Sequence, residues 1–198
     1  DLAGFAASVY MRGIDFYNVP TTLLSQVDSS IGGKTAVNLG GIKNTVGAFK
    51  QPRAVLIDVN TLATLSERHF RCGLAEVIKM AATSDGELFA MIESLDLEGI
   101  QKSIDGIIVG ALRIKKQIVE NDECEAGMRK ILNFGHTLGH AVERCSNYTI
   151  AHGNKVTAEG SHIRKIFADS SFRADKKASA ATGRNIGLGA MVHIAMHH

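Results

Sequence analysis

Three histidines near one another in the chain have the residue type and spacing of a metal site. His136 and His140 are four residues apart in RKILNFGHTLGHAVE (129–143), so on a helix both imidazoles lie on one face, as does Asn133 one turn earlier. His152 follows a predicted turn that can bring it back beside them. A catalytic zinc ion usually has three nitrogen or oxygen ligands from the protein and one open position. By spacing alone, the pattern favours His136 and His140 as the metal-binding pair.

A carboxylate that could complete such a site is Glu76, in the apolar stretch GLAEVIKM (73–80). A buried carboxylate needs a cation or a metal as partner, because burying it unpaired costs several kcal/mol. Lys79, one helical turn further on, is a candidate partner. The alternative is that Glu76 faces solvent and the histidines are simply hydrated. Residue spacing does not decide between the two.

Cationic residues form a second group. Lys34 and Lys43 lie in VDSSIGGKTAVNLGGIKN (27–44), where we expect glycine-rich loops whose backbone N–H groups can approach an anion. The phosphate-binding pattern GxxxxGK[ST] is absent. Asp28 is either a turn former or a partner for a ligand or for Lys34. Further positive charge is available from Arg12, Lys79, Lys115 and Arg129. If these residues converge on one cleft they predict an anion site; otherwise they are scattered solvated charges.

The hydrophobic period changes near residue 60. Before it, short apolar runs such as DFYNVP (15–20) and AVLIDV (54–59) alternate with glycine-rich turns, which is typical of α/β structure. After it, TLSE (64–67) fits a helix capping box, and apolar residues recur at helical spacing around 74–81, 104–111 and 131–142. We therefore predict an α/β unit over residues 1–60 and a mostly α-helical domain over residues 61–198.

Composition narrows the class of protein. The 198 residues carry 22 Lys and Arg against 20 Asp and Glu, so there is no overall basic field of the kind that binds nucleic acid. The three cysteines are dispersed and no apolar run reaches about 18 residues, so we expect neither a transmembrane helix nor a signal peptide. We expect a cytoplasmic protein without nucleic-acid or membrane partners. Because Asp1 opens directly onto an apolar run, we also expect that a front segment is missing.

Three segments together resemble the 3-dehydroquinate synthase family. They are DLAGFAASVYMRGIDFYNVPTTLLSQVDSSIGGKTAVN (1–38), GIKNTVGAFKQPRAVLIDVNTLATLSERHFRCGLAEVIK (41–79), and MRKILNFGHTLGHAVE (128–143) followed by AHG (151–153). The resemblance covers residues 1–154, whereas residues 155–198 match little. It implies the C-terminal part of an NAD-binding α/β domain over residues 1–60, followed by an α-helical domain that binds metal and substrate.

The resemblance also implies the site residues. Zinc or cobalt would be bound by Glu76, His136 and His152, which leaves His140 beside the substrate phosphate instead of on the metal. The implied NAD contacts are Asp1, Thr21, Thr22, Asp28, Lys34, Lys43 and Thr64. The implied substrate contacts are Asp28, Lys34, Asn44, Lys79, Lys115, Arg129, Asn133, His136, His140 and His152. Glu125 corresponds to a family residue near the site, and Arg12 would reach the phosphate from a neighbouring subunit, which implies a homodimer.

The implied activity is that of a carbon–oxygen lyase. It converts the anionic sugar phosphate 3-deoxy-D-arabino-heptulosonate 7-phosphate to 3-dehydroquinate and phosphate in the shikimate pathway, with catalytic NAD. Alternatives are another sugar phosphate cyclase such as 2-deoxy-scyllo-inosose synthase, a metal-dependent polyol dehydrogenase, and an inactive fragment with a structural or interaction role. We expect the chain by itself to have little or no turnover.

Overall fold

Short strands precede long helices in the computed structural model, which describes residues 1–134. The α-helices are α1 Leu2–Val9, α2 Glu67–Ser84, α3 Gly86–Glu93, α4 Leu97–Lys102 and α5 Ile104–Asn121. The strands are β1 Tyr17–Asn18, β2 Lys34–Leu39, β3 Ile42–Phe49 and β4 Ala54–Val55. Three 3₁₀ helices span Tyr10–Arg12, Val59–Thr64 and Met128–Asn133, and a π-helix spans Ser25–Ser29. The change near residue 60 agrees with the change in hydrophobic period.

Strands β2 and β3 form an antiparallel hairpin whose turn is made by two glycines. Gly40 and Gly41 have φ values of 60° and 76°, the left-handed conformation that a two-residue hairpin turn requires and that glycine adopts at little cost. Lys34 pairs with Phe49 at the open end of this hairpin. The predicted loop positions of Lys34 and Lys43 are therefore wrong, since the glycines form only the tight turn and the residues on either side pair as strands.

A shift in the pairing register of the hairpin makes the backbone of strand β3 irregular near its start. The regular ladder is interrupted between Val37 and Leu39, and Asn44 opposite this point has a φ of 54°. The Asn38 side chain accepts a hydrogen bond from the backbone N–H of Asn44 at 3.0 Å, which supports this unusual conformation. Asn44, one of the predicted substrate contacts, is therefore presented by a bulge.

Strands β1 and β4 pair in parallel, with Tyr17 opposite Ala54 and Asn18 opposite Val55. This confirms the two strands predicted in residues 15–20 and 54–59. The pair is short, but it joins the segment before the β2–β3 hairpin to the segment after it. The segment from β1 onward then leads into the π-helix, which carries Asp28.

The main core lies between helices α2, α3 and α5. The predicted apolar stripes are confirmed: Leu74 and Ala81 of α2 are buried, as are Ile107, Ile108 and Ala111 of α5. Such stripes at helical spacing bury one face of each helix while the other stays in water. Apolar residues before the π-helix and within it complete the same cluster, so the N-terminal segment packs on the helices.

The predicted capping box at the start of α2 is wrong. Thr64 ends the preceding 3₁₀ helix, and Leu65 and Ser66 are extended, so Ser66 is the N-cap residue. Its side chain caps no backbone N–H group of α2; the hydroxyl instead lies 2.9 Å from Nδ1 of His69. Asp85, by contrast, caps α3 by accepting hydrogen bonds from two backbone N–H groups.

The helix predicted over residues 131–142 falls mostly outside the described residues. Its first three positions belong to the 3₁₀ helix Met128–Asn133. The described residues all belong to one compact unit. Among residues 1–134, none of the helices is both long enough and apolar enough to cross a bilayer.

Candidate functional site

A cavity of about 670 Å³ opens between the β2–β3 hairpin, the π-helix and the segment that follows α5. Nine of the predicted site residues line it: Asp1, Asp28, Lys34, Lys43, Asn44, Lys115, Glu125, Arg129 and Asn133. These residues come from distant parts of the chain, and several are charged. Their convergence supports an anion site over scattered solvated charges, while the role of each residue stays a prediction.

Lys115 reaches the cavity from the buried face of α5. Its Nζ donates to the backbone oxygen of Asp28 and, at 2.5 Å, to the carboxylate Oδ1 of the same residue. Burial lowers the pKa of Lys115 below its ordinary value, and this effect outweighs the opposing attraction of the Asp28 carboxylate. Nearby Arg129 and Lys79 lower the pKa further. The ammonium group is thus held in one position, with Asp28 as its counter-ion.

Glu125 joins two other predicted substrate contacts. Its Oε1 lies 2.6 Å from Nζ of Lys34 and accepts a hydrogen bond from Nδ2 of Asn133 at 2.7 Å. Partial burial opposes ionisation of Glu125, but the bonds from Lys34 and Asn133 together outweigh it and lower the carboxyl pKa below its ordinary value. The carboxylate is therefore ionised at neutral pH and connects the hairpin to the segment after α5.

Arg129 is buried, with 1% of its surface exposed. Its Nη2 donates to the backbone oxygen of Gly32 at 2.7 Å, and its Nη1 donates to the backbone oxygen of Glu123. The guanidinium carbon lies 5.9 Å from the centre of the Phe49 ring, within the range of a cation–π contact. Nε has no hydrogen-bond partner among the described residues. Arg129 thus links both sides of the cavity through the main chain.

Gly32 was not singled out by the sequence, yet the position of Arg129 depends on it. Its φ is +94°, and a Cβ added there would lie 2.3 Å from Nη2 of Arg129. Only glycine combines this backbone conformation with room for the guanidinium. The glycine pair at positions 32 and 33 was a detectable signal, but its partner 97 residues away was not.

Asp122 is a second structurally important residue that no sequence pattern indicated. Its carboxylate accepts hydrogen bonds from the backbone N–H groups of Ala126, Gly127 and Arg129 at 2.7–2.9 Å. The bond from Arg129 is the largest cause of a carboxyl pKa below the ordinary value. These bonds close the loop over residues 122–129, which carries Glu125 and leads into Arg129. An Asp placed between the end of a helix and a following glycine is typical of such loop closure.

Glu76 is buried in α2 with 2% of its surface exposed, so the solvent-facing alternative is wrong. Lys79 forms an ion pair with it, and the Lys79 ammonium also donates to the backbone oxygen of Leu132 at 2.7 Å. A buried carboxylate is a suitable donor for a divalent cation. His136, His140 and His152 lie outside the described residues, and within residues 1–134 no group of three metal-ligating side chains occurs. Of the three proposed metal ligands, the described residues therefore include only Glu76, whose buried carboxylate suits a divalent cation.

Six of the predicted site residues within 1–134 do not line the cavity: Glu76 and Lys79, described above, and Arg12, Thr21, Thr22 and Thr64. Arg12 is exposed at the end of a 3₁₀ helix and has a φ of 66°. Thr22 accepts a hydrogen bond from the backbone N–H of Ser25 at 3.2 Å, and thus supports the turn before the π-helix. Thr21 and Thr64 are exposed. In the described structure the side chains of these four residues, Arg12, Thr21, Thr22 and Thr64, are therefore not grouped with the nine that line the cavity.

Two family models match consecutive parts of the chain. The model for the N-terminal region of 3-dehydroquinate synthase matches residues 1–72, and the model for its C-terminal region matches residues 73–185. Curated relatives include the 3-dehydroquinate synthase of Enterococcus faecalis, 56% identical over 79% of this chain and 44% of the relative. That of Clostridium beijerinckii is 52% identical over 84% of this chain and 48% of the relative. The chain thus spans less than half the length of these relatives.

Solved structures of related cyclases share the fold. The 2-epi-5-epi-valiolone synthase ValA of Streptomyces hygroscopicus, with NAD⁺ and Zn²⁺ bound, matches with a TM-score of 0.73 and 32% identity over 78% of this chain and 44% of that structure. A 2-deoxy-scyllo-inosose synthase with carbaglucose-6-phosphate, NAD⁺ and Co²⁺ gives a TM-score of 0.71 and 32% identity over 78% and 43%. Matching models over most of its residues, together with an identity above one half to curated relatives, show that this chain belongs to the 3-dehydroquinate synthase family.

Proposed function

We propose that the protein acts as a 3-dehydroquinate synthase, releasing phosphate from 3-deoxy-D-arabino-heptulosonate 7-phosphate and closing the carbon ring of 3-dehydroquinate. The observation that supports this most directly is the convergence of Lys34, Lys115, Arg129 and Asn133 on one cavity. A substrate with a phosphate at one end and a carboxylate at the other requires several fixed cations and amide donors. Membership of the 3-dehydroquinate synthase family is the reason that we propose this sugar phosphate as the substrate and not another anionic sugar.

The residues of the cavity position the substrate in this proposal. Lys34 and Asn133 donate to one oxyanion of the sugar phosphate, and Lys115 supplies a second positive charge from the opposite wall. Arg129 keeps the walls in register through its two main-chain bonds. Asp1, Asp28 and Lys43, which also line the cavity, contact the nucleotide in this proposal. Such preorganised charges favour a reaction in which negative charge moves onto a leaving phosphate.

NAD⁺ would supply a transient oxidation of a ring hydroxyl, which NADH would reverse by returning the hydride, and a divalent cation, zinc or cobalt, would polarise the oxygen of that hydroxyl. In this proposal Glu76 would hold the cation together with His136 and His152, and His140 would assist proton movement near the phosphate. Lys79 compensates the charge of Glu76 and joins it to the segment before the histidines. The net reaction is an elimination followed by ring closure, so the activity is that of a carbon–oxygen lyase. Arg12 of a neighbouring subunit would contact the phosphate in a homodimer.

The test measures inorganic phosphate released by the purified protein in the presence of NAD⁺ and Zn²⁺. We expect 3-deoxy-D-arabino-heptulosonate 7-phosphate to react, but slowly, because the chain spans less than half the length of its relatives, and glucose 6-phosphate not to react. Faster release from glucose 6-phosphate would favour the alternative of a 2-deoxy-scyllo-inosose synthase. We choose this hexose phosphate because the solved inosose synthase contains carbaglucose-6-phosphate. Release from neither substrate would contradict the proposal for this chain and favour the alternative of an inactive fragment.

A pair of adjacent lysines gives a matched control. Lys115 is 4% exposed and lines the cavity, whereas Lys116 is exposed and lies 3.7 Å from Glu120 on the outer face of α5. We expect Lys115→Met to reduce kcat/KM by roughly a hundredfold, because it removes a fixed charge from the site. Lys116→Met should retain activity. Equal effects of the two substitutions would show that the cavity is not the reaction site.

A further inference from the structure

Glu125 occupies a position that suits an oxygen atom of an anionic ligand. A single carboxylate oxygen, Oε1, contacts the Lys34 ammonium at 2.6 Å and the Asn133 amide nitrogen at 2.7 Å. An ammonium and an amide N–H₂ that converge on one point form a seat for an oxyanion. In the structure this seat is filled by the protein's own carboxylate, inside the cavity that both donors line.

The backbone around Glu125 holds the carboxylate at this seat. Glu125 has a φ of 60°, a left-handed conformation that costs a residue other than glycine about 1 kcal/mol or more. The loop is closed beneath it by the three backbone N–H groups that Asp122 binds. Beside it, Nε2 of Gln51 donates to Oε1 of Glu123 at 2.9 Å. The conformation of Glu125 is therefore maintained by its surroundings and not by local preference.

We propose that Glu125 is an internal competitor that occupies the oxyanion seat of Lys34 and Asn133 in the ligand-free protein and leaves it when an anion binds. The seat takes a carboxylate or phosphate oxygen. This deepens the proposed function, on which it rests for the identity of the natural ligand. A ligand oxygen can take the point between Lys34 and Asn133 only where the Glu125 oxygen has left it, and like-charge repulsion opposes placing both anions beside these donors, so binding at the seat displaces Glu125. Glu125 is thus a positioning residue that weakens anion binding and keeps the donors in place.

The test compares anion binding by the wild-type protein and two neutral variants. Glu125→Gln keeps the shape and removes the charge; Glu125→Asn removes the charge and places a residue that tolerates positive φ. Titration calorimetry with inorganic phosphate and, separately, with acetate measures the affinity without any need for turnover. The Lys34 side chain is 43% exposed, so the pair is only moderately strong. We therefore expect roughly two- to fivefold tighter binding in both variants.

Glu123→Gln is the matched control. It removes the same charge two residues away, from a side chain that accepts a hydrogen bond from Gln51 and does not contact Lys34 or Asn133 in the described structure. We expect its phosphate affinity to equal that of the wild type. A gain with phosphate alone would assign the seat to the phosphate end of a ligand, and a gain with acetate would assign it to a carboxylate. Denaturation curves confirm that each variant is folded.

Two results would overturn the inference. One is unchanged or weaker anion binding in both Glu125 variants, which would make Glu125 a structural support. The other is an equal gain in Glu123→Gln, which would show a general effect of net charge. With the substrate that proves active, we also expect Glu125→Gln to lower KM by a similar factor while kcat changes less. If neither sugar phosphate reacts but the calorimetric gain is found, the proposed function fails and the internal competitor stands.

Discussion

The substitution Gly32→Ala tests how strongly the two walls of the cavity depend on each other. At a φ of +94°, an alanine is strained by about 1–2 kcal/mol. Its Cβ would also lie 2.3 Å from Nη2 of Arg129 and would displace the hydrogen bond from this group to the Gly32 carbonyl. Losing a buried hydrogen bond from a charged donor costs about 1.5–3 kcal/mol. We therefore expect the free energy of unfolding to fall by about 2.5–5 kcal/mol.

The turn of the β2–β3 hairpin provides the control. Gly41 also has a positive φ, of +76°, but a Cβ added there has no atom of the structure within 4 Å. Gly41→Ala therefore introduces backbone strain without a steric clash, and should cost about 1–2 kcal/mol. Urea denaturation followed by circular dichroism measures both changes. Equal losses in the two variants would refute the reasoning, because the contact between Gly32 and Arg129 would then contribute nothing.

Two further predictions concern buried and acidic groups. Lys79→Met should lower the free energy of unfolding by about 3 kcal/mol because it breaks a buried ion pair, whereas Lys102→Met, at an exposed pair, should change it by less than about 0.5 kcal/mol; similar values in denaturation experiments would contradict this. The hydrogen bonds that lower the pKa of the Asp122 carboxyl stabilise the fold fully at pH values above the ordinary aspartate pKa of about 3.9. This stabilisation is lost as the pH falls through the lower pKa that the carboxyl has in the folded state. Asp122→Asn should therefore be less stable than the wild type near pH 6, with a difference that narrows toward about pH 3; a constant difference would argue against this role.

The sequence alone predicted the elements whose patterns are local. The stripes at helical spacing identified α2 and α5, since a helix buries residues three and four positions apart, and the glycine pair at 40–41 indicated a turn. Local patterns failed where two local preferences competed. The capping box predicted over residues 64–67 is an example. Thr64 belongs to the preceding 3₁₀ helix and so cannot be the N-cap residue of α2, which is Ser66 instead.

The family and the types of residue at the site could also be predicted from the sequence, since long ordered motifs are specific without any geometry. Which charged residues contact each other depends on the folded chain and could not be predicted in this way. Lys115 pairs with Asp28 across 87 positions of the chain, and Arg129 binds the carbonyl of Gly32 across 97. Neither pairing leaves a local pattern, because the first depends on how the π-helix packs against α5 and the second on how the segment before the hairpin meets the segment after α5. Burial, which sets the pKa of Lys115 and fixes Arg129, follows from the same packing.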